Sequence, residues 1–190
     1  MQDEIDSKEA KKKLPVPPKV FRWVFSFIGV IIAILVGTWL MGRPLLYWNV
    51  SVSAPLGLYV ACLPGPLQYD DYVIVRLSKD YGNLKQGTLL LKQVQGLPGD
   101  IYIRRDGYVE VHGYRYIVVE KEGLPQIPKG SYMVASGQAL LLNKRENSFD
   151  GRYIGPTEDK YIVRRVFLAL DRDAYNKKEK EWHDRLVNIF

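Results

Sequence analysis

Cysteine and histidine are the scarce residues of this 190-residue chain. One cysteine, Cys62, excludes an intrachain disulfide framework and a cysteine-rich zinc site. Two histidines, His112 and His183, lack the spaced neighbours that a metal site or a Ser/His/Asp triad requires. Hydrolytic chemistry, if present, needs another base and no metal or organic cofactor. No repeat period or low-complexity tract is visible, and the length suits one catalytic domain with appendages rather than two. Basic residues are also missing between Arg43 and Arg76, although Lys and Arg (27) outnumber Asp and Glu (21) overall. Because the excess is split by an apolar run and has no aromatic-basic platform, it does not describe a nucleic-acid surface.

That run, WVFSFIGVIIAILVGTWLMG, extends without charge from Trp23 to Gly42. Its length is what a helix needs to cross the ~30 Å hydrocarbon layer. Trp23 and Trp39 stand near its ends, where amphipathic rings favour the lipid boundary. Lys8, Lys11, Lys12, Lys13, Lys19 and Arg22 precede it, so the positive-inside rule places the N-terminus in the cytoplasm and everything beyond Arg43 outside. The run is longer than a signal-peptide core and lacks a small-residue exit near Gly42, which predicts an uncleaved anchor. The resulting division is a basic cytoplasmic tail over 1–19, an anchor over 20–42, an extracytoplasmic domain over 43–170 and a tail over 171–190. Membrane lipid is therefore an expected partner and a cytoplasmic membrane the expected location.

From Asn49 to about Leu170 the chain alternates short β-type runs with Gly, Pro and Asp, the pattern of a mainly β domain. GLYVACL, DYVIVRL, TLLLKQV, DIYIRR, YVEVHG, SYMVAS, ALLLN and YIVRRVFLAL are the predicted strands. Asp106-Gly107 marks a hairpin because both residues tolerate positive φ, and His112-Gly113 begins a second turn. DRDAYNKKEKEWHDRLVNIF reads as an amphipathic helix with Tyr175, Trp182, Leu186 and Phe190 on one side. Docking on its own domain and lying on an anionic membrane are both open to it.

Three segments could carry chemistry. In NVSVSAPLGLY, Pro55 and Gly57 shape a turn that can present Ser53, with the Ser51 hydroxyl and the Ser53 amide near a developing oxyanion. In LLLKQVQGLPGD, Lys92 interrupts an apolar strand, and burial there disfavours its ammonium form as a general base requires. In NSFDGRYIGP, Ser148 can orient a neutral lysine, and Asp150 and Arg152 can pair across a strand face. Taken singly, each has a plain alternative: a loop serine, a snorkelling lysine and a surface ion pair.

In this order, after one N-terminal anchor, the three segments resemble the type I signal peptidases, and more closely their TraF-like branch from conjugative transfer systems. The resemblance covers Asn49 to Val166. It implies a signal-peptidase-like β-barrel with Ser53 as nucleophile, Lys92 as general base, and Ser51 with the Ser53 amide as oxyanion hole. Ser148 would orient the lysine, and Asp150 and Arg152 would support the site. The implied substrate is an exported preprotein with a membrane-embedded signal segment, and the implied surroundings are a conjugative pilus or secretion machinery. Two other readings remain: a general-purpose signal peptidase, and a non-catalytic anchored β-domain acting as a scaffold. Pro55 two residues after Ser53, Gly151 where many relatives carry serine, and the short stretch from Tyr102 to Gly137 depart from the housekeeping pattern.

Overall fold

The computed structural model describes residues 18–120 and 123–178. The predicted basic tail, and the tail positions Trp182, Leu186 and Phe190, lie outside them. The described chain forms two units, Met1–Leu45 and Leu46–Phe190. In the first, α1 (Pro18–Met41) is a single helix long and apolar enough to cross a membrane. Proline suits the first turn of a helix, where its missing N–H is no loss, so the helix starts at Pro18 rather than after the proline-rich spacer. Gly42, at φ 60°, ends it in the left-handed conformation.

The second unit is mainly β. Its larger sheet is antiparallel in the order β1-β2-β11-β3-β4-β9-β10, where β1 is Leu46–Asn49, β2 Gly57–Ala61, β3 Tyr72–Arg76, β4 Leu89–Gly96, β9 Gln138–Leu141, β10 Thr157–Glu158 and β11 Ile162–Asp171. The smaller sheet runs β7-β6-β5-β8, with β5 Ile101–Arg105, β6 Tyr108–Val111, β7 Tyr114–Ile117 and β8 Gly130–Met133. Thus the stretch from Ile101 to Met133 builds a four-stranded sheet. All eight predicted strands are present; β1, β7 and β10 are additions.

The first hairpin differs from expectation in detail. Gly107 adopts φ 74° between β5 and β6, but positive φ at both central residues occurs instead at His112 (50°) and Gly113 (78°), between β6 and β7. His112 is held there by Asp100, whose carboxylate lies 3.0 Å from Nε2 and also accepts from the Leu97 amide at 2.7 Å. One aspartate therefore ties the Gly-Leu-Pro-Gly-Asp turn after β4 to the smaller sheet.

Burial explains the arrangement. Strand β9 is apolar at every core position because both faces are covered. Ala139 and Leu141 join Val73, Val75 and Val94, whereas Leu140 and Leu142 join Tyr102, Val109, Tyr116 and Tyr153. Tyr59, Ile74 and Val166 form a third cluster. On the opposite face of β1, β2 and β11, the register aligns Leu46, Val60 and Phe167 in one row and Trp48, Leu58 and Leu170 in the next. Four of these six, Leu46, Trp48, Phe167 and Leu170, are exposed.

Gly57 is fixed by two constraints at once: φ is 150°, and a Cβ would lie 1.9 Å from the Leu170 carbonyl oxygen. Gly57→Ala is expected to lose about 3 kcal/mol of folding stability or more, read from denaturant unfolding of the full chain in detergent.

Candidate active site

The turn carrying Ser53 is built by Asn49. Its Nδ2 donates to the carbonyls of Ser51 and Pro55, each at 2.9 Å, while its Oδ1 accepts from the Ser51 amide at 3.0 Å. Tyr59 donates its hydroxyl to the same Pro55 carbonyl at 3.0 Å, which gives the Pro-x-Gly-Leu-Tyr run a structural purpose. Within the turn the Ser51 and Ser53 hydroxyl oxygens are 3.1 Å apart, and the Ser53 amide reaches Ser51 Oγ at 3.5 Å. Ser53 borders a cleft of about 350 Å³ whose walls include Pro55, Tyr72, Gln93, Asn143 and Arg145.

Lys92 lies on β4 and is buried, 4% exposed. Its Nζ donates to Ser148 Oγ at 2.9 Å. Burial, which disfavours the ammonium, brings its pKa down to about 8; Asp150 pulls upward and Arg152 pushes further down. The lysine also lines a second pocket, of about 140 Å³, with Leu90, Leu141, Phe149 and Tyr161.

Asp150 and Arg152 do pair, but not on a strand, which corrects the expected strand face, and they are buried rather than forming the surface ion pair of the plain alternative. Asp150 is the N-cap of the one-turn helix α2 (Gly151–Ile154) and accepts from the Arg152 amide. The ion pair, Nε to Oδ1 at 2.8 Å, has both side chains fully buried. Every remaining polar edge is used: Asp150 Oδ2 accepts from the Asn143 amide at 3.0 Å, and Arg152 donates to the carbonyls of Asn143, Ile117 and Glu146. Gly151 is tightly seated, since a Cβ would meet the Leu141 carbonyl oxygen at 2.8 Å and Leu140 Cδ1 at 2.9 Å, so a larger residue requires the strand to shift.

The structure thus gathers Lys92, Ser148, Asp150 and Arg152 into one buried cluster and sets Ser51 and Ser53 together on a shaped turn. Among the described residues Ser53 and Lys92 are not hydrogen-bonded to each other: the serine rests on Ser51, the lysine on Ser148. Sequence reasoning overlooked Asn49 and Asn143, although Asn49 opens the Ser53 segment and Asn143 ends the predicted strand ALLLN. Neither carries charge nor breaks a pattern, so only their hydrogen bonds disclose them.

The family profile described as signal peptidase, peptidase S26, matches residues 19–170. The chain belongs to this family. Two plasmid transfer proteins TraF from Escherichia coli are similar to it: one is 30% identical over 139 residues, covering 64% of this chain and 75% of its own, and the other is 28% identical over 133 residues, covering 62% and 72%. A signal peptidase I from Enterococcus faecalis V583 superposes with a TM-score of 0.37 at 19% identity, covering 56% of this chain and all of its own. With the TraF likeness the chain is a TraF-like type I signal peptidase, and family membership brings serine peptidase activity with it.

Two stability measurements probe the cluster. Arg152→Met leaves the Asp150 carboxylate buried without its cation and is expected to lose about 3 to 5 kcal/mol. Lys92→Met should act in the opposite direction near neutrality. Between about pH 8 and 10.5 the unfolded chain holds a proton that folded Lys92 has released, so stability rises with pH across that window. Below it the folded state carries the whole penalty, roughly 3 kcal/mol, of which losing the Ser148 hydrogen bond cancels ~1 kcal/mol. Lys92→Met should therefore be about 2 kcal/mol more stable than wild type at pH 7 in urea unfolding, the difference should fall to zero near pH 10, and above about pH 10.5 the variant should be ~1 kcal/mol less stable, the lost Ser148 hydrogen bond alone remaining.

Proposed function

We propose that this chain is a membrane-anchored endopeptidase using Ser53 and Lys92 to remove signal or leader peptides from exported preproteins, with a pilin or another conjugative transfer component as substrate. The observation that carries the proposal is the burial of Lys92, with its lowered proton affinity, on Ser148 beside the closed Asp150–Arg152 pair. A general base must be unprotonated to act, and a lysine reaches that state near neutrality only in such surroundings. The plasmid transfer proteins named above support the substrate class.

In this reading the peptide enters the cleft beside Ser53 as an extended strand, held by main-chain pairing. Ser53 turns from Ser51 toward Lys92, and the reaction needs Oγ within ~3.2 Å of Nζ. Neutral Lys92 takes the Ser53 proton as Oγ bonds to the carbonyl carbon. The Ser53 amide and Ser51 hydroxyl stabilise the oxyanion. The ammonium then protonates the leaving amine as the C–N bond breaks, and water releases the acyl group by the same route. The basic tail before α1 sets the N-terminus in the cytoplasm and the β unit on the outer side of the cytoplasmic membrane. The exposed rows around Trp48 and Phe167 suit contact with lipid.

A covalent serine probe tests the chemistry. Full-length protein in detergent should be labelled at Ser53, and Ser53→Ala or Lys92→Met should abolish both labelling and preprotein processing. The rate constant kcat/KM should rise about tenfold per pH unit below pH 8 and level off above it. Absence of labelling at every pH would leave an anchored β-domain without this catalysis. Processing of unrelated secreted preproteins as fast as a pilin precursor would make the enzyme a general signal peptidase.

A further inference from the structure

Asn143 is 2% exposed, and its Oδ1 is a buried atom without a hydrogen-bond partner among the described residues. The residue cannot readily turn away. Its amide donates to Asp150 Oδ2, its carbonyl accepts from Arg152, and its Nδ2 donates to the Leu91 carbonyl at 3.1 Å. Exchanging the side-chain O and N would face two oxygens toward each other at Leu91, so the amide orientation is set. A buried carbonyl oxygen left unpaired costs about 1 to 3 kcal/mol, so a neighbouring N–H that reaches it in another protonation state recovers that cost.

The donor stands across the strand pair. Val94 pairs with Leu141, and the Leu142 amide donates to the Gln93 carbonyl at 2.9 Å, so the same register, continued two residues past the end of β9, brings Asn143 beside Lys92. Directly opposed residues of antiparallel strands point to one face with Cβ atoms ~5 Å apart. A protonated Lys92 has three N–H groups to place, and Ser148 Oγ is its one acceptor among the described residues.

We propose that Asn143 is a positioning residue for the Lys92 proton: its Oδ1 accepts an N–H of the ammonium and holds the charged head between Ser148 and Asn143. The inference deepens the Ser/Lys reading and rests on it for its catalytic meaning, although the contact itself does not. As the Ser53 O–H bond breaks and the new N–H bond forms, two of the ammonium N–H groups donate hydrogen bonds to Ser148 Oγ and Asn143 Oδ1 and keep their protons. The third stays directed at the substrate, to be returned to the leaving nitrogen.

The test reads Lys92 directly. Full-length protein carrying 13C-labelled lysine is titrated in detergent micelles, and the Lys92 13Cε resonance is identified by its loss in Lys92→Met. Asp150 and Arg152 of the α2 segment, Arg76 of β3, Tyr81, Glu158 of β10 and Tyr161 also border Lys92 or its pocket, and all stay unchanged. Asn143→Asp keeps the acceptor and adds charge, so the Lys92 midpoint should rise by about one pH unit or more. Asn143→Leu removes the acceptor, so the midpoint should fall by about half a unit. The pH midpoint of kcat/KM should move in the same directions with KM little changed. Lys92 midpoints equal to wild type in variants that keep the native near-UV circular dichroism overturn the inference. If Asn143→Leu does not fold, Asn143→Asp decides alone. A Lys92 midpoint that follows Asn143 while Ser53 takes no probe keeps the contact and overturns the catalytic reading.

Discussion

The interaction on which the rest depends is the fully buried Asp150–Arg152 pair. Two charges removed from water are tolerable only when their lone pairs and protons are all matched. Here the matching reaches β9 through Asn143, the end of β7 through Ile117 and the Ser148 segment through Glu146. The pair therefore stitches both sheets to the short helix that follows Ser148. Its placement also sets the electrostatics of Lys92, since carboxylate and guanidinium oppose each other and leave desolvation as the deciding influence on the amine.

Strand β9 makes that burial possible. With one face in the Val73–Val94 cluster and the other in the Tyr102–Tyr153 cluster, it is the wall shared by two cores. The residues that follow it, Asn143 to Asp150, are carried from the strand to the N-cap of α2 without leaving the interior at either end. A lysine on β4, one strand away, is consequently enclosed from both sides while the serine turn stays at the border of an accessible cleft.

Much of this was legible in the sequence because the relevant patterns are local. Alternation between apolar and polar residues marked the strands, and an apolar run free of charge marked α1. Lys92 stood out against its apolar neighbours. What escaped depends on partners distant in the chain. Strand β1, LYWN, is too short to show a period and follows the anchor so closely that its apolar residues merge with that signal. Asp150 and Arg152 read as a strand-face pair because spacing two apart fits a strand; the capping bond to the Arg152 amide, which turns the backbone into a helix, is invisible to spacing. Asn49 and Asn143 are uncharged, and their importance lies in which carbonyls and amides they meet. The tail beyond residue 178 lies outside the described chain.

The tight seat of Gly151 has a consequence for how this segment can vary. The Leu141 backbone and the Leu140 side chain occupy the space that a serine hydroxymethyl would need. Exchange of the Ser148–Arg152 loop with a relative bearing serine at that position is thus not modular. A transplanted loop that carries a side chain there requires the Leu140–Leu141 strand to shift with it.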